Sequence, residues 1–340
     1  MPDLVTIKAG IGQRSLLARA LVAPALAVAC FPMAHAFAQP SPAAEAPASA
    51  SLDALPDALF SGGRSRAMLE AQILLDRAFF SPGVIDGVDG GNTRRAVEAF
   101  QRANGLNVTG RVDEALLARL RGEGPPLVKR YRIAESDIAG PFVDVPDGME
   151  AKAGLDALAF ESPAEALAER FHMSQSFLKA LNPKADFGKA GTEILVVAAR
   201  DGALPASVAR IEVDGARKRL RAYAADGRLL ASFPATVGSA DFPSPSGEMT
   251  VRAVAPEPKY YFSPDGRDWG PDRRLTIAAG PNNPVGGTWI DLTKDGYGIH
   301  GTPDPRLIGK TASHGCVRLT NWDAEMLGRA VEPGTVVVFG

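Results

Sequence analysis

The sequence predicts a multidomain α+β protein: a small three-helix bundle, then a βααβ module, then a mainly β C-terminal domain of sandwich or barrel type. Three observations predict it. Apolar residues recur at helical spacing between residues 64 and 121, whereas from about Ser207 they alternate with polar ones, the period of a half-buried strand. Between the two, cap and breaker residues bracket a pair of short helices. The 340 residues, at roughly 150 per domain, give two or three folded units. With 46% hydrophobic residues and a net charge of −2, the chain has the apolar material for packed cores and is no disordered polyelectrolyte. It has no Lys/Arg block to supply the phosphate attraction of nucleic-acid binding, so no nucleic-acid partner is expected.

At the N-terminus, Lys8, Arg14 and Arg19 precede an apolar run from Ala20 to Phe31, followed by Ala34-His35-Ala36-Phe37-Ala38-Gln39. A basic region, a short apolar core and a small-x-small ending read as a secretory signal over residues 1–38, cleaved after Ala36 or Ala38. The run is too short to span a bilayer core of about 30 Å. Cleavage removes Cys30 and leaves Cys316 as a lone thiol in an oxidising compartment, which calls for a chemical reason. Residues 39–61, rich in Ala, Pro and Ser, read as a flexible linker.

The bundle, residues 62–122, rests on Met68, Ala71, Leu75 and Phe79, then Ala96, Val97 and Phe100, then Val112, Leu116 and Leu120. Turn-formers separate the three stretches. The run Gly83-Val84-Ile85-Asp86-Gly87, with Asn92-Thr93, Phe100-Gln101, Gly105-Leu106, Thr109-Gly110 and Asp113, resembles the three-helix peptidoglycan-binding domain. Residues 123–154 read as a connector.

In residues 155–199, Ser162-Pro163-Ala164-Glu165 is a capping box with proline at the first helical position, starting a helix to about Arg170. Ser174 caps a second helix that Asn182-Pro183 ends at Leu181. Ile194 to Val197 reads as the closing strand, and an opening strand is expected within Leu155 to Phe160. The order, with Ala168-Glu169-Arg170-Phe171 and Leu178-Lys179-Ala180-Leu181-Asn182-Pro183, resembles a LysM-type glycan-binding module. Glycan binding and a purely structural spacer both stay open.

In residues 207–340, Ile211 and Val213 alternate with Arg210 and Glu212, and Asp214-Gly215 and Asp226-Gly227 mark hairpin turns. Further strands are expected at Met249 to Val254, Thr288 to Leu292 and Thr335 to Phe339, with one helix from about Trp322 to Ala330. The chemistry concentrates here, where His300 and His314 crowd Cys316 within seventeen residues. A nucleophilic thiol needs a base or a positive neighbour, and histidine is the usual one. If the second stretch is extended, period-two geometry puts His314, Cys316 and Arg318 on one face. Amides around Gly315 and Cys316 would then be placed to meet a developing oxyanion. Arg318 suits a carboxylate contact or a structural ion pair. Zinc is disfavoured, because no fourth ligand is evident and His-x-Cys lacks the usual chelating gap.

His300-Gly301-Thr302, then sixteen positions from His300 to Cys316, then Ser313-His314-Gly315-Cys316-Val317-Arg318, resembles the L,D-transpeptidase (YkuD-type) family. The likeness extends to Pro281-Asn282-Asn283-Pro284-Val285-Gly286 and Leu319-Thr320-Asn321-Trp322. A sortase-type enzyme places its histidine much farther upstream. The resemblance implies that Cys316 attacks a peptidoglycan stem tetrapeptide, releasing terminal D-alanine, with His300 as base oriented by the Gly301 carbonyl. His314 and Gly315 would flank the oxyanion region, and Arg318 and Ser313 would meet substrate. Tyr261 and Trp289 are further substrate candidates, with Trp269 beside them. The resemblance implies no cofactor or metal, a carbapenem adduct at the thiol, a monomer, and a periplasmic enzyme at the cell wall. The amine acceptor is left open among a second stem, an outer-membrane protein and free D-amino acids, with hydrolysis (L,D-carboxypeptidase action) and a non-catalytic wall-binding protein as alternatives.

Overall fold

The computed structural model describes residues 49–122, 124–239, 241–265 and 270–340. The predicted signal, Cys30, His35, the first part of the linker and Trp269 lie outside the described residues.

The bundle consists of α1 (Arg66–Arg77), α2 (Gly91–Ala103) and α3 (Glu114–Leu120). The Ser65 hydroxyl accepts from the Met68 amide and the Asp113 carboxylate from the Leu116 amide, satisfying donors that a helix start leaves open. α1 is buried on two sides, and this displaces the expected stripe. Leu75 packs with Phe80, Val97, Phe100 and Leu116 inside the bundle, while Leu69 and Ile73 face the middle module.

That module is built on a three-stranded sheet of β1 (Ser49–Ala50), β2 (Val128–Arg132) and β3 (Glu193–Val197), with β2 central and antiparallel to both neighbours. Between β2 and β3 come α4 (Glu135–Ile138), α5 (Met149–Lys152), α6 (Pro163–Arg170) and α7 (Gln175–Leu181). The opening strand is therefore Val128–Arg132, inside the predicted connector, and not Leu155 to Phe160. The latter segment spends its hydrogen bonds elsewhere: the Leu158 amide donates to Ala279 O (2.9 Å), and Leu158 O accepts from the Asn282 amide (2.9 Å). It is a seam with the C-terminal domain. Nor is the predicted linker a plain tether from Ser49 onward, because Leu55 and Leu59 are buried against Leu69 and Ile73.

The C-terminal domain contains β4 (Arg210–Asp214), β5 (Arg219–Tyr223), β6 (Leu229–Pro234), β7 (Gly247–Pro256), β8 (Tyr260–Phe262), β9 (Leu275–Ile277), β10 (Thr288–Leu292), β11 (Gly298–His300) and β12 (Val317–Arg318). It ends in α8 (Asn321–Ala330) and β13 (Val336–Phe339). Among the described residues one eight-stranded sheet runs β12-β11-β10-β7-β13-β4-β5-β6, while β8 and β9 pair separately. The β11/β12 and β13/β4 pairs are parallel. The sheet curls until its two edges meet: Thr236, just past β6, bridges Arg318 in β12. Sandwich or barrel thus resolves as a single curled sheet. Ile211, Leu220, Phe233, Ile290, Ile299, Val317 and Val337 fill its interior beneath α8, each such burial worth about 1.5–3 kcal/mol.

A buried ionic knot joins all three parts. Asp76 in α1 accepts from Arg200 through its amide (2.8 Å) and Nη1 (2.5 Å), and its Oδ2 lies 3.1 Å from His172 Nδ1. Arg200 also pairs with Asp323 in α8, which accepts from the Ser81 hydroxyl at 2.9 Å. Burial pushes the Asp76 carboxyl up, but Arg200 and His172 outweigh it and hold its pKa at about 2. His172 stacks on Trp322 with ring centroids 5.0 Å apart.

Candidate active site

His300 closes β11 and is buried at the sheet edge, opposite Arg318 in the parallel β12 register. Its Nδ1 lies 2.7 Å from the Gly301 carbonyl oxygen. A carbonyl only accepts, so Nδ1 carries the hydrogen and Nε2 keeps its lone pair. The ring stacks on Trp289, centroids 5.4 Å apart and planes 22° apart. Gly298 leaves room for that indole, since a Cβ there would stand 2.5 Å from Trp289 Cζ2. Burial, and then the charge of Arg318, push the His300 pKa down to about 3. At neutral pH the imidazole is an uncharged acceptor.

Cys316 is half-buried immediately before β12, its Sγ 3.7 Å from Gly296 O. The approach to it is a bend and not an extended run; only Val317–Arg318 is strand. The Ser313 hydroxyl donates to Cys316 O (2.5 Å) and accepts from the Gly315 amide (3.1 Å). The Ser244 hydroxyl donates to Gly315 O at 2.8 Å. Gly315 has φ +113°, and a Cβ there would lie 2.8 Å from Tyr297 Cε1, so only glycine fits. Two expectations change in consequence. The Gly315 amide is committed to Ser313 and does not face an oxyanion, and His314 lies on the exposed side with its ring 4.8 Å from that of Phe242.

Arg318 is half-buried. Burial lowers its pKa, while Cys316 and Tyr260 act in the opposite direction, so the guanidinium is within electrostatic reach of both. Its Nε is buried without a hydrogen-bond partner among the described residues. Of the aromatic candidates, Trp289 is only 5% exposed and backs His300 instead of lining a groove. Tyr261 projects away from β8 at 39% exposure. Tyr260 is the β8 tyrosine within electrostatic reach of Arg318, and the two-residue period that buries Phe262 would have selected it.

The loop between the two motifs is held by the bundle. Asn92 Nδ2 in α2 donates to Ile308 O (2.8 Å), and the Gly309 amide donates to the Thr236 hydroxyl (2.8 Å). Asp304 and Lys310 lie in this loop. Among the described residues no group of three or more His, Cys, Asp or Glu side chains is placed to hold a metal.

A thiol, a neutral buried imidazole and a guanidinium at the edge of a curled sheet are the parts of an acyl-transfer centre. Residues 208–339 match the L,D-transpeptidase catalytic domain, and residues 64–120 match the "Putative peptidoglycan binding domain". The chain is 31% identical over 176 residues to "Putative L,D-transpeptidase YkuD" of Bacillus licheniformis, covering 51% of this chain and 90% of that one. It is 31% identical over 183 residues to "Probable L,D-transpeptidase ErfK/SrfK" of Escherichia coli, covering 52% and 58%. A crystal structure of L,D-transpeptidase 3 from Mycobacterium tuberculosis, in complex with a faropenem-derived adduct, aligns at 20% identity with a TM-score of 0.33, covering 46% of this chain and 76% of that one. The chain belongs to the L,D-transpeptidase family, with a peptidoglycan-binding helical domain ahead of its catalytic domain.

Proposed function

We propose that Cys316 is the nucleophile of a peptidoglycan L,D-transpeptidase and His300 its base. The observation that carries the reading is the Nδ1–Gly301 hydrogen bond, which leaves His300 Nε2 as the acceptor on a neutral ring. The Cys316 S–H proton passes to Nε2 as sulfur bonds to the carbonyl carbon of the stem peptide. Collapse of the tetrahedral adduct returns that proton to the departing D-alanine nitrogen and leaves a thioester. An incoming amine attacks the thioester and gives a proton to Nε2, which passes it to the departing sulfur, regenerating the thiol and the neutral imidazole.

Arg318, half-buried and within electrostatic reach of Cys316, receives a substrate carboxylate on its guanidinium. That pairing also offsets the Arg318 charge, which after burial is the second cause of the low His300 pKa. The acceptor is a second stem, a protein lysine, a free D-amino acid or water. A carbapenem adds to Cys316 as an acyl-donor mimic. The leading residues 1–38 direct the chain to the periplasm. The middle module, with α6 and α7 among the four helices between its paired strands, acts as a LysM-like glycan contact.

Incubating the protein and its Cys316→Ala form with purified disaccharide-tetrapeptide, and following products by mass, tests the reading. Dimers, D-alanine exchange or tripeptide are expected from the wild type alone. Identical behaviour of the two proteins would overturn it.

A further inference from the structure

We propose that Asn321 and Glu169 are positioning residues for His300, with Glu169 acting from the middle module. The inference rests on the reading of His300 as the base for Cys316. Asn321, the first residue of α8, has its side chain turned toward the loop that follows β11. Its Oδ1 accepts from the Thr302 amide at 3.0 Å and from the Gly287 amide at 3.4 Å. The Thr302 N–H and the Gly301 C=O belong to one peptide unit, which is planar and trans. Its carbonyl side holds His300 Nδ1–H at 2.7 Å and its amide side is held by Asn321. Anchoring one side of that plane therefore fixes the direction of the other, and with it the plane of the imidazole. The seat is tight: a Cβ on Gly286 or Gly301 would overlap Asn321 Oδ1.

An asparagine can do this in only one sense. Turned end for end, its NH2 would face the Thr302 N–H, donor against donor. Two acceptors prevent the turn. Asn321 Nδ2 donates to Pro281 O at 3.1 Å and to the Glu169 carboxyl, 3.0 Å to Oε2 and 3.3 Å to Oε1. Glu169 sits in α6, outside the catalytic domain, and no Lys or Arg pairs with it among the described residues. Burial first, and Glu165 in addition, push its pKa up to about 8, with the Asn321 hydrogen bond pulling the other way. In either protonation state the carboxyl keeps an oxygen that accepts from Nδ2. The middle module thereby supplies the polarity that orients the base.

The test compares Asn321→Ala, Asn321→Asp and the swap Asn321→Asp/Glu169→Gln in the full chain. Readouts are tetrapeptide turnover, thermal stability, and the pH profile of Cys316 alkylation by iodoacetamide, with His300→Ala as reference. Asn321→Ala should lower kcat by about 10- to 100-fold with KM changed less than about 2-fold, and should move the alkylation profile toward that of His300→Ala. Asn321→Asp places two carboxyls together and should lose as much. The swap restores the hydrogen bond between residues 321 and 169 but not the one to Pro281 O, and should recover part of the rate lost in Asn321→Asp. Wild-type kcat and alkylation profile in Asn321→Ala would overturn the proposal. If that variant does not fold, the swap decides: no recovery over Asn321→Asp overturns it. If the wild type alkylates normally yet leaves tetrapeptide untouched, the proposed function fails, and the alkylation profiles still decide the positioning role.

Discussion

The Nδ1 nitrogen of His300 lies 2.7 Å from the carbonyl oxygen of Gly301, the next residue in the chain, so backbone and not a carboxylate orients this imidazole. Replacing His300 with alanine should slow acyl transfer by roughly 10²- to 10⁴-fold, the usual reach of general acid–base catalysis. Gly301→Ala should cost about 10²-fold by displacing the Asn321 anchor and the carbonyl together. Tetrapeptide turnover measures both, and wild-type rates in Gly301→Ala would contradict the geometry.

Arg318 depresses the basicity of His300, second only to burial. Arg318→Gln should therefore raise the His300 pKa and shift the acid limb of the kcat/KM profile to higher pH, while weakening binding of carboxylate-bearing donors. An acid limb that stays in place would show that the charge does not act on the base.

The ionic knot sets an acid limit on stability. Asp76 is held at about 2 against an ordinary value of 3.8. Because the folded value is the lower one, its contribution is complete above about pH 4 and is lost as pH falls through about 2. Asp76→Asn strands part of the Arg200 charge and should cost on the order of 3 kcal/mol at neutral pH, with a shallower acid slope. Denaturant titrations at several pH values measure both quantities.

Excising residues 207–340 should weaken the catalytic domain. Asp323 would lose Arg200 and Ser81, and Arg219 its bond to Ser81 O at 3.1 Å. We expect Tm to drop by on the order of 10 °C relative to the full chain. An isolated domain as stable as the whole would mean the knot contributes nothing.

Strands β4 and β13 were legible because they bury alternate residues, whereas β6 and β11 are buried along nearly their whole length; the Cys-His spacing was legible because it is local in sequence. What escaped was set by distant partners. Val128–Arg132 is a strand with three charged residues, and its pairing with β3 reaches across two-thirds of a hundred residues. Leu158 is apolar in a segment whose amide bonds to Ala279, so it reads like a strand and serves as a seam. The bond from Asn321 to Glu169 spans 152 positions and leaves no periodicity to find. Tyr260 differs: the alternation along β8 that buries Phe262 carries its signal in the sequence itself.

Asn92 in the bundle grips Ile308 in the loop that separates the two catalytic motifs, and the knot at Asp76, Arg200 and Asp323 clamps the same parts from within. On the proposed function, the wall-gripping element and the thiol are thus two jaws of one caliper. If a glycan strand seats on the bundle, Cys316 is carried at a set span and bearing from it, because the two parts are joined by these contacts and not by a free hinge.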